Sequence, residues 1–157
     1  MTNLLLALLR RSVPARIVNV ASAGQLPIDF DDVMLERHYD GVRAYRQSKL
    51  ALVMFTFELA RRLRAGSERT VTVNALHPAT FMNTKMAYEM GVQPVSSIED
   101  GVAATMRLAI SPELDGVSGR YFDGMTESRA RDHAYDAGAR WRLWRLSETL
   151  VGMERDE

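Results

Sequence analysis

The chain has no cysteine, which rules out a disulfide framework and any thiolate metal site. Its three histidines, His38, His77 and His133, stand far apart in sequence, so no metal site is expected. Lysine is almost as scarce. Lys49 and Lys85 are the only two, and arginine supplies the rest of the positive charge. Neither sign of charge dominates: twenty acidic and twenty basic residues cancel, which leaves no electrostatic case for a nucleic acid or membrane-surface partner. Long hydrophobic runs are missing as well. The apolar start, residues 3–9, follows no basic segment, is too short to span a bilayer and has no small-residue cleavage site. A cytoplasmic protein without a membrane span is the expectation.

What is present suits one globular core. With 157 residues, 46% of them hydrophobic, the chain is long enough for a single domain over 1–157 and too short for two. Thr2 or Asn3 can cap a leucine-rich helix running to about residue 12. Pro14 ends it, and residues 16–21 form a short β-branched run suited to a buried parallel strand. A turn at 22–24 leads into a loop, 25–41, that carries the acidic cluster Asp29, Asp31 and Asp32 and reads as a surface excursion. Helical periodicity then holds from 42 to 63, with arginines in the last turn and Gly66 as the stop. Residues 70–76 alternate as a second strand, and 77–95 read as a long loop. Ser96 or Ser97 caps a helix over 98–110, residues 118–122 offer a third strand, and 128–150 form a last helical pattern.

Strand, helix, strand, helix, strand is the order of a parallel sheet with right-handed crossovers, so the expected fold is α/β: a partial Rossmann-like sheet of about three strands flanked by helices. In such sheets ligands sit at the carboxyl ends of strands. Ser22 leaves the first strand at that end and the 77–84 loop leaves the second. The helix between them carries Tyr45 and Lys49. Four residues apart, these two share a helix face with Cβ atoms about 5 to 6 Å apart, which brings an ammonium beside a phenol. An adjacent cation favours the phenolate, and that pairing makes a tyrosine usable as a general acid or base. A surface ion-dipole pair is the plainer reading of the same spacing, but it does not require Ser22 to converge on the same crevice.

Three motifs in order, Ser22 after a strand, Tyr45-x-x-x-Lys49, and Asn74-Ala75-Leu76-His77-Pro78, resemble the short-chain dehydrogenase/reductase family, and the resemblance covers nearly the whole chain. The stretches Tyr45-Arg46-Gln47-Ser48-Lys49-Leu50-Ala51 and Phe57-Glu58-Leu59-Ala60-Arg61-Arg62-Leu63 look like its retinol dehydrogenase-like branch. The resemblance implies an NAD- or NADP-dependent oxidoreductase that interconverts a small-molecule carbonyl and alcohol. By it, Tyr45 passes a proton to or from the substrate oxygen and Ser22 hydrogen-bonds that oxygen. Lys49 supports the phenolate and, with Tyr45, holds the nicotinamide ribose. Pro78 with Thr80 or Thr84 meets the nicotinamide carboxamide. The helices over 2–12 and 42–63 resemble the family's dimerisation helices, which implies a homo-oligomer or a completing partner chain.

The departures from the family pattern are specific. None of the ten glycines forms the Gly-x-x-x-Gly-x-Gly or Gly-x-Gly-x-x-Gly loop that binds a pyrophosphate. By the resemblance that loop, the residue that selects NAD or NADP, the Asn-Ala-Gly motif and the active-site asparagine precede the chain, so 1–157 corresponds to the family's C-terminal portion. Pro78-Ala79 stands where the family usually has Pro-Gly. The alternative function is therefore a non-catalytic dimerisation or interaction module that does not bind cofactor. Elsewhere, His77 reads as a structural hydrogen-bond partner rather than a proton carrier, since no carboxylate lies near it in sequence. The stretch 140–145, which mixes arginine with Trp141 and Trp144, reads as a packing helix whose arginine stems cover apolar surface. Met82, Met86 and Met90 suit either an adaptable pocket or a core gap.

Overall fold

In the computed structural model, which describes residues 1–66 and 71–153, four strands form one sheet in the order β1-β2-β3-β4. Helix α1 (Thr2–Arg11) leads into β1 (Ala15–Val20), α2 (Gly41–Ala65) and β2 (Val71–His77). A short α3 (Lys85–Glu89), α4 (Ile98–Ile110), β3 (Tyr121–Asp123), β4 (Thr126–Ser128) and α5 (Ala137–Leu150) complete it. The pairs β1–β2 and β2–β3 are parallel, with Ala15 opposite Val71 and Ala75 opposite Tyr121. The β-branched character of β1 and β2 suits strands covered on both faces, and every residue of β2 is buried. Of the second strand expected over 70–76, Thr70 lies outside the described residues.

Alternation along the strands divides the core between the two faces. Ala15, Val71, Val73, Ala75 and Tyr121 pack against α2 and α5 with Leu50, Val53, Leu59 and Leu63. Leu76 and Phe122 point the other way, against Ala104 and Leu108 of α4. Arg16 also faces α4, donating to the carbonyls of Leu108 and Ser111 (3.2 and 2.7 Å) and pairing with Asp115, so a cation closes the negative end of that helix.

Of the two caps the sequence offers, Ser97 starts α4, and Asp100 reciprocates by accepting from the Ser97 amide. Asp40, near the end of the expected 25–41 loop, caps α2 by accepting from the Arg43 amide at 2.6 Å. Two other expectations change. The 77–95 segment contains α3, and the last helix starts at Ala137 rather than 128. The chain turns back just before that stretch: Gly124, at φ +55°, supplies the positive φ of a two-residue hairpin turn, and β4 pairs antiparallel with β3. Asp136 then accepts from the Ala139 amide and starts α5. Gly119 (φ +72°) lets the lead-in to β3 lie against α2, where a Cβ would stand 2.9 Å from that of Ala60.

The tryptophan segment divides by face. Trp144 is buried and stacks on Phe55 with ring centroids 5.5 Å apart, under the Arg62 guanidinium at 4.2 Å, while Trp141 faces solvent. No helix among the described residues is long and apolar enough to cross a membrane.

Candidate active site

The carboxyl ends of β1 and β2 lie side by side, because Val20 is opposite Leu76 and the Ala21 amide continues the ladder by donating to the Leu76 carbonyl at 2.7 Å. The chain leaves β1 through Ser22 and β2 through Pro78. Helix α2 runs between the strands, and its first turns bring Tyr45 and Lys49 to the same end. Lys49 Nζ donates to the Val20 carbonyl at 3.1 Å and lies 5.5 Å from the centroid of the Tyr45 ring. The ammonium is thus fixed to the strand that carries Ser22 rather than projecting freely into solvent. Among the described residues this is its one hydrogen bond, so two of its three N–H donors remain for a ligand.

Ser22 and Tyr45 meet around Gly24. A Cβ at Gly24 would lie 3.5 Å from Ser22 Oγ and 3.8 Å from Tyr45 Cε1, so both side chains border the same small volume. Ser22 is 7% exposed and Tyr45 39% exposed, so the serine is buried and the tyrosine is accessible to solvent. The Gly24 amide donates to Ser22 Oγ at 3.0 Å. That bond uses the oxygen as an acceptor and leaves the hydroxyl hydrogen free to donate.

The other expected positions are more scattered in role. Pro78 is buried directly after β2. Thr80 is exposed, and its hydroxyl pairs with His77 Nε2 at 2.9 Å. Thr84 precedes α3 without capping it through its side chain. His77, the last residue of β2, makes the structural hydrogen bond expected of it, and burial lowers its pKa. The carboxylate that its sequence neighbours do not supply comes instead from Asp123, its register partner on β3, which partly opposes that shift.

Two residues at this site escaped the sequence reading. Tyr121 Oη and Gln25 Nε2 both donate to the backbone carbonyl of Ser22, at 3.1 and 2.7 Å. The signal for Tyr121 was parity: Tyr121 and Asp123 share one face of β3, and Phe122 takes the other. Nothing local marked Gln25, which lies in a segment that looks like an ordinary turn. The acidic cluster beside it builds the loop. Asp29 pairs with Arg43 at 2.6 Å, and Asp32 accepts from the Glu36 and Arg37 amides. Among the described residues, no group of three or more His, Cys, Asp or Glu side chains is placed to hold a metal ion.

Known proteins share this sequence over almost its full length. Human retinol dehydrogenase 13 is 40% identical over 172 residues, covering 98% of the chain and 51% of that protein. Human retinol dehydrogenase 14 is 39% identical, covering 98% of the chain and 49% of that protein. The chain belongs to the short-chain dehydrogenase/reductase family. Its retinol dehydrogenase relatives place it on that branch of the family, and the WW domain-containing oxidoreductase of Danio rerio is 32% identical over 96% of the chain and 40% of that protein. The chain spans about half the length of the curated relatives it matches. No family model matches it. Among solved structures, an uncharacterized protein from Mycobacterium paratuberculosis superposes with a TM-score of 0.63 at 27% identity, over 91% of the chain and 52% of that protein. The NADPH-bound carbonyl reductase from chicken fatty liver superposes with a TM-score of 0.54 at 22% identity, over 82% of the chain and 50% of that protein, and shares the fold.

Proposed function

We propose that this short-chain dehydrogenase/reductase chain carries the proton-transfer half of a nicotinamide-dependent oxidoreductase site that interconverts a carbonyl and an alcohol. Ser22, Tyr45 and Lys49 are its working residues. The observation that carries the reading is the convergence of Ser22 Oγ and the Tyr45 ring around Gly24, with the Lys49 ammonium anchored on Val20 beside them. Ser22 donates its free hydroxyl hydrogen to the substrate oxygen and orients it toward Tyr45. In the reducing direction Tyr45 gives its phenolic proton to that oxygen as the carbonyl becomes an alcohol, and in the oxidising direction it takes the proton back. Lys49 stabilises the charge left on the Tyr45 oxygen at that moment. A nicotinamide held by these residues would supply the hydride chemistry at the substrate carbon, which would balance the proton carried by Tyr45.

The residues fit one end of such a cofactor. Lys49, with two unspent donors, and Tyr45 would hold the nicotinamide ribose; Pro78 with Thr80 or Thr84 would face the carboxamide. Among the described residues, the three long helices after β1 offer the pyrophosphate no comparable seat. Helices α2, α4 and α5 all begin at carboxylate-bearing caps, Asp40, Ser97 with Asp100, and Asp136, which occupy the amide donors and repel an anion. The cofactor is NAD or NADP, and the substrate is a small molecule with an alcohol or carbonyl group.

Titration of the 157-residue chain with NADH and NADPH, followed by cofactor fluorescence, tests the reading. Saturable binding that Lys49→Ala weakens supports it; absence of binding to the folded chain overturns it.

A second reading, a dimerisation or interaction module, draws on a different observation. Helix α1 has no buried residue, and Leu4, Leu5 and Leu8 are exposed on it. Strand β1 pairs with β2 alone among the described strands. Apolar surface beside an unpaired strand edge favours a second copy or a completing chain. A mass above 17.7 kDa in light scattering, lost in Leu4→Lys/Leu8→Lys, without cofactor binding, would favour that module.

A further inference from the structure

We infer that Tyr121 and Gln25 are positioning residues for Ser22, holding its peptide unit by the carbonyl so that its hydroxyl faces Tyr45. This deepens the reading of the site given above and rests on it. Both donors converge on one acceptor, the Ser22 carbonyl oxygen, whose two lone pairs they fill. They reach it from different parts of the fold. Tyr121 comes from β3, ninety-nine residues further along the chain, and Gln25 from the turn just after Ser22. Gln25 is itself held, because its Oε1 accepts from the Arg131 amide at 3.0 Å. Only one orientation of its side-chain amide meets a carbonyl with Nε2 and an N–H with Oε1, so the direction of this bridge is determined.

All three side chains are buried, Gln25 and Tyr121 each at 4% exposure. An unmet carbonyl or phenol there would be costly, so the three groups constrain one another. Burial, with Asp123 adding to it and Gln25 partly opposing, raises the Tyr121 phenol to about 12. It therefore remains a donor near neutral pH and is no candidate for proton exchange. With its carbonyl clamped and its Oγ accepting from Gly24, Ser22 is constrained at both ends. Its hydroxyl hydrogen is left free on the side chain.

Tyr121→Phe removes one O–H and keeps the packed ring, so it separates positioning from core filling. The amide of Ala23 shares the clamped peptide unit, and the Gly24 amide reports the bond to Ser22 Oγ. Both can be followed by NMR in the intact chain, with or without turnover. In Tyr121→Phe we expect the Ala23 amide resonance to move and Gly24 hydrogen exchange to accelerate about 3- to 10-fold. Amides in the middle of α2, such as that of Val53, should keep their rates. Where the chain turns over a carbonyl substrate, kcat should fall by a similar factor with cofactor affinity unchanged, and Tyr121→Phe should cost nothing more in a Ser22→Ala background. Gln25→Leu removes the other donor and gives the same pattern should Tyr121→Phe not fold.

Unchanged Ala23 and Gly24 amides in a folded variant would overturn the inference, as would a turnover loss that persists without the Ser22 hydroxyl. A chain with no turnover whose Ala23 and Gly24 amides still respond would sustain the positioning role and count against the oxidoreductase reading alone.

Discussion

Lys49 Nζ donates to the carbonyl of Val20, the last residue of β1, at 3.1 Å while lying 5.5 Å from the Tyr45 ring. The bond ties the helix bearing the phenol to the strand bearing Ser22, so the spacing between the two is set by a contact made within this chain.

Replacing Lys49 should therefore cost ligand affinity more than stability. Lys49→Ala is expected to raise the dissociation constant for NADH or NADPH about 10- to 100-fold, the loss of one or two charge-assisted hydrogen bonds. Its melting temperature should stay close to that of the unsubstituted chain, since the side chain is only half-buried. Fluorescence titration and thermal melting on the same sample check both halves.

Tyr45→Phe should separate binding from chemistry. The ring stays beside Ser22 and Lys49 and the phenolic proton is gone, so cofactor binding should be retained while kcat falls about 100-fold or more. Steady-state rates alongside the titration decide it.

Glu58 should be a stability residue with an acid signature. It is buried on α2 and accepts from Arg61 at 2.9 and 2.7 Å and from Arg62 at 2.8 Å. Burial alone would raise its pKa, but the two guanidinium groups more than reverse that and hold it below 4.5. A carboxylate depressed in the folded state stabilises above its unfolded pKa, and that contribution disappears as pH falls through the folded value. Glu58→Gln should lose about 2 kcal/mol at neutral pH and show a shallower decline in stability below pH 4.5. Urea unfolding from pH 7 downward measures both.

His77 should act in a higher window. Burial lowers its pKa below 6.5, with Asp123 partly opposing, so the unfolded chain takes up a proton more readily than the folded one. Stability should then rise with pH between the folded pKa and 6.5 and level off above it. His77→Asn should flatten that segment of the urea-midpoint profile.

Much of this was legible from local pattern. The period of α2, the β-branched runs of β1 and β2, and the Ser97–Asp100 cap are local signals, and each element lies where its residues indicate. The Tyr45 and Lys49 pairing followed from helix geometry alone. What was not legible depends on contacts between distant segments. The 128–136 stretch has helical composition, yet Gly124 turns the chain into a hairpin, and the residues after it are fixed by bonds such as Gln25 to the Arg131 amide and His133 Nδ1 to the Ile28 amide. Tyr121 looked like ordinary strand filler because its partner lies ninety-nine residues away. His77 appeared to lack a carboxylate only because Asp123 reaches it across the sheet.

Strand β1 is at the boundary of the described sheet, and its last carbonyl anchors Lys49. A polypeptide laid along that open edge would press directly on the anchor. Edge pairing and ligand binding would then be thermodynamically linked: whatever factor a bound nucleotide adds to the affinity for the pairing strand, the strand must return to the nucleotide. Affinity measured at increasing protein concentration would thus report assembly as well as binding.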